Sequence, residues 1–539
     1  MNWVDRLRVA GLVGAIAGLA AALCAPAFAQ SPEWPERVRR AQQDLKPPPV
    51  QRSVGKSFSL AEPGAIGDEL RREIEARSSA KHFAPDAALA VTLVAQPDRE
   101  RELASLVESL GGEVEATVDS EVFARVSPAV LDALARRIDV LKLAVPQGEA
   151  VGQQSVAVRP PVGMQTSPQV AALHASGVSG RGVRLAVIDA GSGVSGFEAG
   201  SHGAACTALV RSVAPDASIV EIGVDRLTEG RLLQAMEQAR RIGAQVVSLS
   251  AAGYDFPLDG SAAPDRAMKA SRQGATPLWI VAAGNQADLH WHGSVRDANA
   301  NGWIDVPEAD APADTSADQL LIRVVRAGRV RITANWNDWA AFRGRRTFSD
   351  LDAYLYRVDD GAVPVLVARS ELDQSAGARP VERIDVHLEP GDYLLGLRAT
   401  RLLAHVALHV FVEGNVRLQP AHAERSLGVP GTAAAALTVG VLAEDGETYA
   451  SYSGRGPTED GRRKPDAATR LPAGNTFAGT SAATPFLAGM AALVAQRNPA
   501  LNGMALKQKV LHFIRPVREG RDILALDADL LRADLLKAR

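Results

Sequence analysis

From residue 182 onward, short apolar runs alternate with helix-length amphipathic stretches, and this alternation limits the possible folds more than any other feature. Residues 184–189, 218–224, 246–250 and 278–283 are apolar runs, as expected of strands buried on both faces of a parallel sheet. Residues 202–213, 228–242 and 263–273 have helical spacing between them. Leu232, Leu233, Met236, Ala239 and Ile242 share one face, and Gly243 stops that run. The order predicts a parallel sheet with helices on both sides. In such sheets the chemistry lies beyond the carboxyl ends of the strands, where Asp189 and the pair Gly284 and Asn285 fall. A strand over 437–442 and a long apolar helix over 481–496, stopped by Asn498 and Pro499, resume the pattern near the end.

Between these blocks the alternation breaks. Strand-like stretches recur at 320–325, 330–335, 353–358, 363–367, 384–388, 393–398 and 406–412, separated by turns such as Glu389-Pro390-Gly391-Asp392. They predict a β-sandwich inserted into the α/β domain. Upstream, residues 87–145 read strand, helix, strand, strand, helix, strand, the order of a ferredoxin-like α+β module. Residues 30–86 form a loose lead-in rich in Pro, Arg, Ser and Gln, and 146–165 a linker. The α/β domain therefore spans 166–294 and 426–539, with the insert at 295–425.

Residues 1–29 read as an address. Arg6 and Arg8 precede an apolar run over 9–23, and Ala27-Phe28-Ala29 offers a small-x-small cleavage site. The run is short for a membrane anchor, and Leu23 before Cys24 does not suit a lipid attachment site. The expectation is export, to the periplasm or the extracellular medium. Cleavage leaves Cys206 as the one cysteine, so the exported chain relies on packing or metal rather than disulfides. Of 539 residues, 46% are apolar, enough for a sizeable core. With 59 basic against 62 acidic side chains and only 5% aromatics, nucleic acid and anionic membrane are not expected partners. No later stretch is apolar enough to span a membrane, and no organic cofactor is implied.

Three short segments carry chemistry. The first ends Leu185-Ala186-Val187-Ile188-Asp189. The second is Ser201-His202-Gly203, and the third is Gly479-Thr480-Ser481-Ala482-Ala483-Thr484-Pro485. A serine hydroxyl is a poor nucleophile until a base takes its proton. His202 can be that base, and Asp189 can fix its tautomer and stabilise the imidazolium. Ser481 opens a helix, so its N–H points toward a developing oxyanion. Asn285, in Ala282-Ala283-Gly284-Asn285, offers a second donor, although Gly284 with Asn285 also suits a plain turn. His-Gly occurs again at His292, which reads as part of a loop. Cys206, four residues after His202, reads as an inert thiol packed beneath it.

On these residues the chain resembles the subtilisin-like serine proteases, or subtilases. The family's Asp strand, His-Gly helix start, Ala-Gly-Asn oxyanion segment and Gly-Thr-Ser-x-Ala-x-Pro segment match Asp189, His202-Gly203, Ala283-Gly284-Asn285 and Gly479 to Pro485 in order. Ala204 stands where the family has Thr. Tyr452-Ser453-Gly454-Arg455-Gly456-Pro457 and Lys464-Pro465-Asp466 also resemble the stretch before the family's serine. The likeness covers roughly 166–294 and 425–515. It implies a subtilisin-like sheet and an exported serine endopeptidase with the triad Asp189, His202 and Ser481 and the oxyanion residue Asn285. It also implies substrate pairing at Ser250, Ala251, Ala252 and Gly284, and a prodomain at 87–145 that assists folding and inhibits the site. Polypeptide substrate and its own prodomain are then the partners. Only 13 positions separate Asp189 from His202, so the calcium loop often found there in the family is not expected. The rival reading is a non-catalytic protein of the same fold that binds a partner through the insert. A lipase-type hydrolase lacks its Gly-x-Ser-x-Gly elbow, and a sedolisin-like peptidase would place Glu at His202.

One further motif stands apart. Asp297, Asn299, Asn301, Gly302, Trp303, Asp305 and Glu308 follow the calcium-loop spacing: oxygen ligands at 1, 3, 5, 9 and 12, Gly at 6 and a backbone carbonyl at 7. Calcium is the expected metal there, with a polar turn as the alternative.

Overall fold

The computed structural model describes residues 40–41, 45–48, 65–66, 70, 72 and 74, and 88–537 with breaks. The breaks are 97, 138, 145–166, 192–195, 225–227, 270–275, 307–317, 344–348, 360–362, 403–405, 472–476 and 519–522. The expected export signal and the 146–165 linker lie outside the described residues.

Eight strands build the central sheet. Their order is Ile514–Pro516, Leu524–Leu526, Ala467–Thr469, Leu437–Val441, Leu278–Ala282, Val246–Leu249, Arg184–Ala190 and Ser218–Val224. Neighbours run parallel except at the outermost pair of C-terminal strands. Val246–Leu249, Leu278–Ala282 and Leu437–Val441 are buried at every residue, so their unbroken apolar runs follow from cover on both faces. Alternate residues of Arg184–Ala190 sort between two cores, as the twofold period of a strand requires. Leu185 and Val187 meet the helices His202–Val213 and Thr480–Arg497, while Ala186 and Ile188 meet Glu229–Arg241 and Ala263–Lys269. From Thr480 to Ala495 every side chain but Phe486 is buried; a helix apolar all round belongs inside.

The region between the two α/β segments folds as two antiparallel sheets. One has the order His290–Ser294, Ala407–Glu413, Gly328–Trp336, Val381–Leu388. The other runs Val365–Ser370, Asp350–Val358, Gly391–Arg401, Gln319–Val324, Val416–Gln419. Trp291, Ile332 and Trp336 from the first share a core with Ile322, Leu355 and Leu395 from the second. Residues 290–294, expected in the α/β segment with His292 in a loop, instead form the insert's first strand, because Trp291 is driven into the shared core at 0% exposure. The strand Val416–Gln419 was also unforeseen.

Upstream, five strands lie in the order Ala65–Ile66, Val140–Ala144, Leu89–Ala95, Glu121–Val126, Glu113–Val118; the first, from the expected loose lead-in, pairs parallel to the second, and the other pairs are antiparallel. Val91, Leu93, Val122 and Ala124 pack under the helices Glu100–Ser109 and Pro128–Ala135. Phe123 points the other way, into the core of helix Glu229–Arg241. Around it, Arg266 pairs with Asp119 at 2.6 Å and with Glu121, and Arg231 pairs with Glu113 at 3.1 Å. Part of the lead-in is ordered on the insert: Ala41 packs with Leu321, Val358 and Leu394, and Leu45 with Trp303, Tyr354 and Tyr356. No helix among the described residues is long and apolar enough to cross a membrane.

Candidate active site

Asp189 is the penultimate residue of its strand, with a side chain only 2% exposed. His202 is the first residue of its helix, set there by Ser201, whose hydroxyl caps the Ala204 N–H at 3.2 Å. His202 Nδ1 lies 2.9 and 2.8 Å from the two Asp189 oxygens. A carboxylate can only accept, so Nδ1 carries a proton and Nε2 of the neutral ring keeps its lone pair. Nε2 is buried, without a hydrogen-bond partner among the described residues. The ring edge meets Phe477 at 5.2 Å between centroids. Burial opposes charging this ring, but the charge and hydrogen bond of Asp189 outweigh it, and the pKa is raised above 6.5.

Ser481 is the second residue of its helix, after Thr480, and Gly479 turns the chain into that helix at φ +88°, a conformation glycine adopts without strain. The site closes through contacts that span hundreds of residues. Thr480 donates its N–H and hydroxyl to Asn285 Oδ1 at 2.9 and 2.8 Å. This fixes which end of the Asn285 amide faces the helix and leaves Nδ2, a donor, on the other side. Ser250 donates to the Ser481 carbonyl at 3.1 Å. Cys206 Sγ lies 3.5 Å from Asp189 Oδ2 and 3.6 Å from the Ser481 carbonyl. The structure thus brings together Asp189, His202, Ser481 and Asn285.

Asp189, His202 and Cys206 have ligand atoms within 4.8 Å of one another. They do not make a good metal centre. Burial first, and Asp189 second, push the Cys206 thiol well above its usual range, and Nδ1 already holds the proton shared with Asp189. The donor set is a hydrogen-bond relay, and the thiol is inert.

The expected substrate positions lie beside this centre with their side chains occupied. Ser250 holds the Ser481 carbonyl, Ala251 faces the core of the Glu229–Arg241 helix, and Ala252 packs with Tyr254, Phe411 and Val429. Gly284 has φ +101°, and a Cβ there would come within 2.4 Å of the Tyr254 hydroxyl. Tyr254 and Gln286 were not foreseen; the Tyr254 hydroxyl donates to Gln286 Oε1, which also accepts from the Asn285 N–H at 3.1 Å. Thr480 was visible in its motif without a role, and no local pattern marks Phe477 or Tyr254. Of the calcium pattern, Asp297, Asn299, Asn301, Trp303 and Asp305 lie on one turn, and Glu308 lies outside the described residues.

Residues 390–524 match the model of the subtilase family, Peptidase_S8. That stretch contains Ser481; Asp189, His202 and Asn285 precede it. Serine protease AprX of Bacillus subtilis (strain 168) is 34% identical over 113 residues, which cover 16% of this chain and 26% of the relative. The match thus spans about a quarter of that relative's length. Among solved structures, the Clostridium perfringens CspB protease is 14% identical with a TM-score of 0.45, covering 68% of this chain and 98% of that one. The epidermin leader peptide processing serine protease of Staphylococcus aureus is 13% identical with a TM-score of 0.39, covering 83% and 98%.

Proposed function

We propose that this chain, subtilisin-like over its matched segment, is an exported serine endopeptidase that hydrolyses peptide bonds through an acyl-enzyme on Ser481. One observation carries the reading. His202 is held by Asp189 through Nδ1 while its buried Nε2 has no hydrogen-bond partner among the described residues, as suits a base that is to take a hydroxyl proton. When substrate binds, the Ser481 hydroxyl closes on Nε2, and catalytic bonds of this kind commonly tighten only in the complex. Ser481 Oγ attacks the carbonyl, His202 takes its proton and returns it to the leaving amine, and Asp189 stabilises the imidazolium. The Ser481 N–H and Asn285 Nδ2 would receive the oxyanion. Ser250, Ala251, Ala252 and Gly284 would line the path of the substrate backbone.

In this reading residues 87–145 are the prodomain, held on the protease by the Phe123 contact and the Arg266 and Arg231 ion pairs. The chain would cut itself in the 146–165 linker. The two sheets after residue 290 are an inserted sandwich, and the destination is the periplasm or the extracellular medium. A fluorophosphonate probe tests the centre: it should label Ser481 in the purified chain. Labelling elsewhere, or casein hydrolysis by Ser481→Ala at the wild-type rate, would overturn the assignment.

A further inference from the structure

Between the insert's first strand, His290–Ser294, and its second, Gln319–Val324, the chain makes a tight turn over residues 297–305. We propose that this turn binds a calcium ion. Asp297 accepts the Asn301 and Gly302 N–H groups at 3.0 Å each, Asn299 Oδ1 accepts the Asn301 N–H at 3.1 Å, and Asn301 Oδ1 accepts the Trp303 N–H at 2.9 Å. Gly302, at φ +90°, allows the reversal. Behind the turn, Asp318 accepts from the amide nitrogens of Asn299 and Asn301 at 3.3 and 2.6 Å. Both nitrogens therefore face Asp318, and both amide oxygens face the turn.

Asp305 supplies an independent observation. Its side chain lies in a residue 7% exposed, and Oδ2 accepts the Ala298 N–H at 3.0 Å, which brings the carboxylate back onto the start of the turn. Its other oxygen, Oδ1, is buried with no hydrogen-bond partner among the described residues. A buried carboxylate oxygen without a donor is costly. No Lys or Arg forms an ion pair with Asp297, Asp305 or Asp318 among the described residues. A cation is the missing partner.

The donor chemistry selects the ion. Carboxylates, amide oxygens and the Trp303 carbonyl are hard oxygen ligands, and the turn offers neither nitrogen nor thiolate. Calcium tolerates such a mixed, irregular set, whereas magnesium demands near-ideal octahedral geometry. Glu308 lies outside the described residues, and the site stands without it. Its place gives it a role: the Trp303 ring is fully buried against Leu45, Tyr354 and Tyr356, and its Nε1 donates to the Leu45 carbonyl at 3.1 Å. The ion would fix the turn that presents this ring, and so tie the lead-in to the insert.

Terbium(III) and calcium test this on full-length Ser481→Ala protein stripped with chelator. Terbium on the turn should emit on tryptophan excitation, because Trp303 is itself a turn residue, and calcium should quench that emission by displacement. Calorimetry should show saturable uptake of one calcium per chain, weakened at least tenfold in Asp305→Asn. Trp303→Phe should lose most of the emission yet keep the uptake; should that variant not fold, Asp305→Asn and Asp297→Asn decide. No saturable uptake, or uptake unchanged in both aspartate variants, overturns the site. The readouts use no proteolysis, so their failure leaves the reading of Ser481 untouched.

Discussion

Asn285 has two jobs that one pair of substitutions can separate. Its Oδ1 anchors the start of the serine helix through two bonds from Thr480, at 2.9 and 2.8 Å, and its Nδ2 is the proposed oxyanion donor. Asn285→Ala removes both. Losing the anchor should cost about 2 kcal/mol of stability, at roughly 1 kcal/mol per hydrogen bond. Losing the donor should lower kcat by about 10²–10³, equivalent to about 2.7–4 kcal/mol of transition-state stabilisation. KM should move little, because the donor acts on charge that develops only during attack. Asn285→Asp keeps an acceptor for both Thr480 donors but puts a negative oxygen where Nδ2 was. It should regain most of the stability and none of the kcat. The assay is steady-state hydrolysis of a peptide substrate beside urea unfolding of each variant, made on a Ser481→Ala background for the unfolding arm. If Asn285→Asp recovers kcat together with stability, the residue is only an anchor and the oxyanion assignment fails.

Two further outcomes are expected. The pKa of His202 is raised above 6.5, because the charge and hydrogen bond of Asp189 outweigh the opposing effect of burial; attack needs the neutral ring, so kcat/KM should fall as pH drops through a midpoint above 6.5. The same shift adds stability that is fully present below about pH 6.5 and is lost as pH rises through the raised value; a kinetic midpoint at or under 6.5 contradicts this account. Active chain should also cut itself between residues 146 and 165 while Ser481→Ala stays joined, as N-terminal sequencing of both would show; equal cutting in the two would point to another protease.

The parallel sheet was legible because strands such as Val246–Leu249 and Leu278–Ala282 are buried on both faces and therefore apolar throughout. The candidate catalytic side chains were legible for a related reason: Asp189, His202 and Ser481 each sit near an element end inside a short contiguous motif. What holds them together was not. Thr480 and Asn285 are 195 positions apart, and Cys206 and Ser481 are 275 apart, so no local periodicity announces either contact. The insert's first strand escaped because His290-Trp291-His292-Gly293-Ser294 lacks β-branched residues. It is a strand by virtue of Trp291, whose burial needs partners from more than thirty residues further on.

The division of the sheet has a consequence for how the molecule assembles. Ile280 and Leu437 sit side by side in the sheet, yet an unstructured loop of roughly 160 residues between them costs about 4.5 kcal/mol to close. The two ends of the insert are already stapled. His290 Nδ1 donates to the His422 carbonyl at 2.7 Å, and the His422 N–H donates to the His290 carbonyl at 2.6 Å. Once that staple is made, only about two dozen residues remain open, and closure costs about 2.8 kcal/mol. The difference of about 1.7 kcal/mol makes the meeting of these strands on the order of twentyfold more probable. The insert is thus a splint: once its own long-range strand pairs have formed, it delivers the second half of the sheet, with the Ser481 helix packed on it, to the strand that leads into Asn285.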